Sequence, residues 1–165
     1  MAEIGWGKPT IVVKKSGEGE KYIKFPTGIE NSTILTTTKG TKKEAKIEGG
    51  ENEDVRYGKN TYALAVEVRD AKNRKRPVVD HDGIVEGEYE VWLQPEDKTL
   101  NGIYIAEAVI SVEDKWSAEE GTSRVYTFDA LKPADGSDQV KHGVVTITGE
   151  GDNITNVEFT EDTEE

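Results

Sequence analysis

The strongest constraint on the fold is a two-residue alternation of apolar and polar side chains that recurs along most of the chain. In residues 61–69, Tyr62, Leu64, Val66 and Val68 fall on one side, opposite Thr61, Ala63, Ala65, Glu67 and Arg69. Residues 32–38 place Thr33, Leu35 and Thr37 on one face and Ser32, Ile34 and Thr36 on the other. Residues 88–94 set Tyr89, Val91 and Leu93 against Glu88, Glu90 and Trp92. The pattern continues in 143–149 and 153–160, with Ile154, Val157 and Phe159 as apolar anchors. Successive side chains of a strand point to opposite faces, so this spacing predicts half-buried antiparallel strands.

Between these segments lie turn signals: Gly17-Glu18-Gly19, Gly49-Gly50, Asp82-Gly83, Asn101-Gly102, Asp135-Gly136 and Gly149-Glu150-Gly151. Short strands separated by such turns predict a mostly β protein, an antiparallel β-sandwich or split barrel with long hairpin loops. Helix is limited to one short piece at most. Ser117 with Glu120 has capping-box spacing, but Gly121 follows at once and no apolar repeat continues it. Residues 103–116 carry Ala and Glu, yet Ile103, Tyr104, Ile105, Val109, Ile110 and Val112 favour a strand. The reading is a single β domain over residues 1–159, with an N-terminal arm at 1–9 and a disordered acidic tail at 160–165. Residues 42–48 and 61–69 read as the limbs of one long hairpin, with Gly49-Gly50 and the acids Glu51, Glu53 and Asp54 in its connection.

Charge is distributed unevenly. Residues 1–82 carry 16 Lys and Arg against 13 Asp and Glu, a net of +3, whereas residues 83–165 carry 5 against 20, a net of −15. The overall −12 argues against groove binding to nucleic acid, which needs a basic footprint. The split permits an acidic surface on one copy to face a more basic one on a neighbour. With only 34% hydrophobic residues the core is expected to be thin, so neighbouring subunits would help bury it. No cysteine is present, which removes disulfides and thiolate metal sites. Neither a secretory signal nor an apolar run of about 20 residues is evident, so a soluble, unprocessed chain without a membrane span is expected.

No motif supports catalysis. Asp80-His81-Asp82 invites a metal, but a calcium loop counted from Asp80 would place Ile84 fifth and Val91 twelfth, and His142 is remote in sequence. A solvated turn is the better reading there. Asp135–Asp138 and residues 149–153 offer oxygens to a calcium ion only weakly. Neither a nucleophile elbow nor a phosphate-binding loop occurs. A carbohydrate-active enzyme would want an aromatic groove, and aromatics are 7% of the chain. No cofactor is expected.

One basic cluster stands out, Arg69, Lys72, Arg74, Lys75 and Arg76, read as either an exposed loop or the contact for an acidic partner. Trp6, between two glycines, is either folded onto the domain or an anchor on a neighbour, since Trp is enriched at interface hot spots.

Residues 32–69, preceded by the arm "IGWGKPTIVV", resemble phage tail tube proteins, and residues 117–147 resemble the C-terminal half of such subunits. The resemblance implies a β-sandwich or split-barrel subunit with a flanking short helix, although this chain lacks a clear amphipathic helix. It also implies hexameric rings, stacked head to tail into a virion tube assembled in the host cytoplasm. The implied partners are further copies, other tail proteins, and DNA passing through without specific binding. The expected self-assembly interface comprises Trp6, Glu51, Glu53, Asp54, Arg69, Lys72, Arg74, Lys75 and Arg76. A capsid-decoration or Ig-like binding module is the alternative.

Overall fold

The alternating segments become eleven strands in the computed structural model, which describes residues 3–17, 19 and 21–162. They are β1 (Thr10–Lys15), β2 (Tyr22–Lys24), β3 (Ile34–Thr38), β4 (Lys42–Lys46), β5 (Asn52–Tyr57), β6 (Thr61–Arg69), β7 (Tyr89–Gln94), β8 (Gly102–Ser117), β9 (Gly121–Ala130), β10 (Val140–Glu150) and β11 (Asn153–Glu161). Nine of them form one antiparallel sheet in the order β2-β1-β7-β8-β9-β6-β3, with β10 and β11 branching from β8. The β4 and β5 strands pair only with each other. The sheet does not close into a barrel, and the architecture is mostly β and sandwich-like.

The 16-residue β8 is the spine of this arrangement. Its first residues lie between β7 and β10, with Ile103 opposite both Leu93 and His142. From Ala108 onward it pairs with β9. The two halves of the sheet face each other across a main core that includes Ile11, Val13, Leu64, Val66, Val91, Ile105, Ile110 and Phe128. Phe25, just beyond β2, closes the gap by packing edge-on against Tyr126 and Phe128 at 5.1 and 5.3 Å. The alternation in the sequence therefore identifies the core faces of β6 and β7 correctly.

Trp92 and Val12 point the opposite way, yet both are buried. A second core covers them, formed with Val145, Ile154 and Val157 of the β10–β11 ribbon. Aromatic rings run through it from Tyr22 to Trp92 (5.8 Å), Tyr104 (5.5 Å) and Phe159 (5.0 Å). The ribbon leaves β8 where Gly102 pairs with Gly143; a Cβ on either would overlap backbone carbonyl oxygen, of Leu93 or Thr160 respectively. It then crosses β7, where Gln94 Nε2 donates to Val145 O at 2.8 Å, and reaches β2, where Lys24 Nζ donates to Gly151 O at 3.5 Å.

Two expectations need correction, while that of at most one short helix holds. Among the described residues there is no helix: the Ser117–Glu120 spacing belongs to the β8–β9 turn, where Ser117 Oγ accepts from Glu120 N at 3.0 Å. A side chain that caps a helix can serve a tight turn through the same bond. The acidic tail does not begin at residue 160, because Thr160 and Glu161 pair with Val144 and Gly143, and Asp162 N donates to His142 O. Strand pairing needs backbone groups and not apolar side chains. Residues 163–165 lie outside the described residues. The long hairpin has different limbs: β4 pairs with β5, and β6 lies between β3 and β9. Gly49 and Gly50, at φ 94° and 86°, reverse the chain so soon that residues 52–57 return as the second limb.

Candidate assembly surfaces

The β4–β5 hairpin stands apart from both cores. Every residue of β4 is exposed, as is all of β5 except the half-buried Val55. Cross-strand partners share a face, so Lys42 and Glu44 lie with Tyr57 and Val55 on one side, while Lys43 and Ala45 lie with Arg56 and Asp54 on the other. On the first face Glu44 takes Lys42 at 2.7 Å and Lys46 at 3.6 Å. The Lys42 hydrogen bond holds the Glu44 carboxyl below its ordinary pKa. On the second, Arg56 meets Asp54 at 3.2 Å. Such exposed pairs contribute about 0–1 kcal/mol each, and an isolated two-stranded hairpin is marginal in water. The arm is held at its root, where Gly58 N donates to Thr41 O at 2.8 Å and Gly40 N to Asn60 Oδ1 at 3.1 Å. Gly40 is needed there, since a Cβ would strike the Gly58 carbonyl.

Of the expected interface residues, Glu53 and Asp54 therefore lie within β5, with Glu51 at the tip, where its carbonyl accepts from Ile47 N. Trp6 is 77% exposed, so it is not folded onto the domain. Its arm runs beside Glu96, Asp97 and Leu100, tied by Lys8 N to Glu96 Oε2 at 3.4 Å. The structure does not bring Trp6, the hairpin acids and the basic cluster into one site.

Arg69 of the basic cluster ends β6, and the other four residues lie in the loop that follows it. Asp70 anchors it, accepting an ion pair from buried Arg124 at 3.2 Å while Asp70 N donates to Thr122 O. The Arg124 hydrogen bond holds the Asp70 carboxyl below its ordinary pKa. Arg74 Nη1 donates to Arg69 O at 2.5 Å, and Arg76 lies 3.8 Å from Asp80. The loop is thereby folded so that Arg74, Lys75, Arg76 and Pro77 form one wall of a groove of about 780 Å³. Tyr22, Lys24 and Pro26 form the other, with Asp152 of the β10–β11 turn at its margin. Sequence reading missed Tyr22, Lys24 and Pro26 because they join the loop only through the sheet. Arg69 and Lys72 do not line this groove.

The remaining candidates are turns. Residues 81–84 close on themselves, with His81 N donating to Ile84 O and Ile84 N to His81 O. Asp82 and Gly83, at φ 53° and 86°, occupy the two centre positions of a type I′ turn. Asp135 Oδ1 accepts from Ser137 N at 2.9 Å and Ser137 Oγ at 2.6 Å. Among the described residues, no three His, Asp or Glu side chains converge in a metal-ligating group. No helix there is long and apolar enough to cross a membrane.

Half-buried Tyr104 donates to Glu90 Oε1 at 3.1 Å; burial first, then the Glu90 charge, raises its pKa well above 10. Burial also raises that of Tyr126. The unfolded chain releases these protons near pH 10 and the folded chain retains them, so the stabilisation is complete below pH 10 and declines above it. Thermal scans between about pH 9 and 12 should show a falling Tm that Tyr104→Phe makes shallower. A Tm unaffected by that substitution across this window would show that Tyr104 does not contribute.

A scan against protein-family models and a search of curated proteins each return no match.

Proposed function

We propose that this chain is a structural subunit that assembles with copies of itself into a tube of the phage-tail type. The observation that supports this best is the β4–β5 arm. It is a well-paired hairpin with both faces in water, which its own chain does not stabilise by packing. An arm of this kind gains burial only on another molecule, and β-pairing across subunits would also cover the exposed edge at β3, where Ile34 is 54% exposed. Ring stacking is a heterologous contact, so the two ends of a subunit must be complementary instead of alike. The net charge of −12 suits a conduit, because carboxylates repel phosphates and let DNA slide. The residues of the arm act as structural contacts, and no chemical step is assigned to them.

The test is negative-stain microscopy with sedimentation over rising protein concentration. Rings with six-fold symmetry, or tubes of uniform bore, are expected. A chain that stays monomeric at the highest soluble concentration would overturn the reading.

A further inference from the structure

The β10–β11 ribbon runs from a groove rich in cations, whose margin also carries Asp152, to an acidic end. At its turn lies the groove between the loop after β6 and β2, where Lys24, Arg74, Lys75 and Arg76 surround Tyr22 and Pro77. At its other end the chain emerges from β11 at Glu161 and Asp162, both exposed, and continues as Thr163-Glu164-Glu165. Asp162 Oδ2 accepts from Asn101 at 2.7 Å, and among the described residues neither acid has an ion-pair partner.

From these ends we infer that the groove is a docking site for the acidic segment 161–165 of a second copy, a contact that deepens the proposed self-assembly. The four cations of the groove outnumber Asp152 at its margin, and although Arg76 also faces Asp80 at 3.8 Å, positive charge remains for the carboxylates of the segment. Lys75 and Lys24 have no ion pair among the described residues, so their charge is free to meet an incoming carboxylate.

The contact must be made in trans. The nine residues of β11 span about 27 Å at roughly 3.3 Å per residue, and this length separates the acidic end from the groove. Glu161 and Asp162 therefore do not reach the groove on their own subunit. A site at one end and its occupant at the other make a heterologous contact, which propagates into rings or open filaments and does not stop at a symmetric pair.

Two reversed variants test this in the full chain, followed by sedimentation velocity. In one, Lys24, Arg74, Lys75 and Arg76 become Glu; in the other, Glu161, Asp162, Glu164 and Glu165 become Lys. Each alone should lose self-association at least tenfold. An equimolar mixture of the two should recover it, and association of the native chain should weaken as salt rises from low to high. Because Arg74 and Arg76 also fold the loop, Lys24→Glu with Lys75→Glu serves as the milder groove variant. Native association by both reversed chains, or failure of the mixture to recover, would overturn the docking. Tight binding of a single-stranded oligonucleotide in the groove without recovery by mixing would do so too. If the reversed chains assemble normally while loss of the β4–β5 arm abolishes assembly, the docking fails and the assembly reading stands.

Discussion

Phe128→Ala is expected to cost about 3–5 kcal/mol, the range for emptying a fully buried aromatic site. The ring has 0% exposure and lies at the centre of the main core, with Phe25 edge-on at 5.3 Å. Phe25 in turn is the side chain that joins the β2 end of the sheet to β9, so the cavity would open between the two halves of the sandwich. The neighbours able to fill it, Leu64, Val66 and Ile110, sit on hydrogen-bonded strands and move little. Domains of this size are stable by about 5–15 kcal/mol in total, so the substitution removes a large share. Urea unfolding should show a lower midpoint with an unchanged slope. Ile34→Ala, on the exposed side of β3, should change stability by no more than about 0.5 kcal/mol in the isolated subunit. Equal effects at the two positions would show that the core is not where the packing places it.

The difference between Phe128 and Ile34 also marks what the sequence makes legible. Alternation alone separates Leu35, Leu64 and Val66 from their outward neighbours, because one buried face per strand leaves a period-2 record. Trp92, in a strand and read as core or interface packing, is buried although alternation sets it with Glu88 and Glu90, because β7 is covered on both faces. The second cover is a ribbon more than 50 residues along the chain, a contact no local pattern encodes. The β4–β5 hairpin was hidden for the reverse reason. With no buried face, Lys42, Glu44, Glu53 and Asp54 show no apolar period, so the return strand read as a charged loop. The groove was half legible: its Arg74, Lys75 and Arg76 wall is continuous in sequence, while Tyr22, Lys24 and Pro26 arrive through β2. What would have exposed the arm is its punctuation, Gly40 and Gly58 at the root and Gly49-Gly50 at the tip.

That punctuation defines the sharpest test of assembly. Excising residues 41–57, so that Gly40 joins Gly58, should abolish rings and tubes while leaving the subunit folded. The join is short, because the two glycines already approach so closely that a Cβ on one would meet the carbonyl of the other. Nothing in the excised segment is fully buried, and its ion pairs are exposed. Stability of the isolated subunit should therefore change by no more than about 0.5 kcal/mol, as for other surface changes. Shortening the connection between β3 and β6 lowers the chain entropy lost on folding, which favours the variant slightly. Assembly should respond in the opposite sense, since interface energy concentrates in few side chains and Tyr57, 72% exposed in the isolated subunit, would be removed with its partners. Thermal unfolding and microscopy on the same preparation separate the outcomes. A variant that no longer folds would assign the arm to the core, and a folded variant that still forms tubes would remove the arm from the interface.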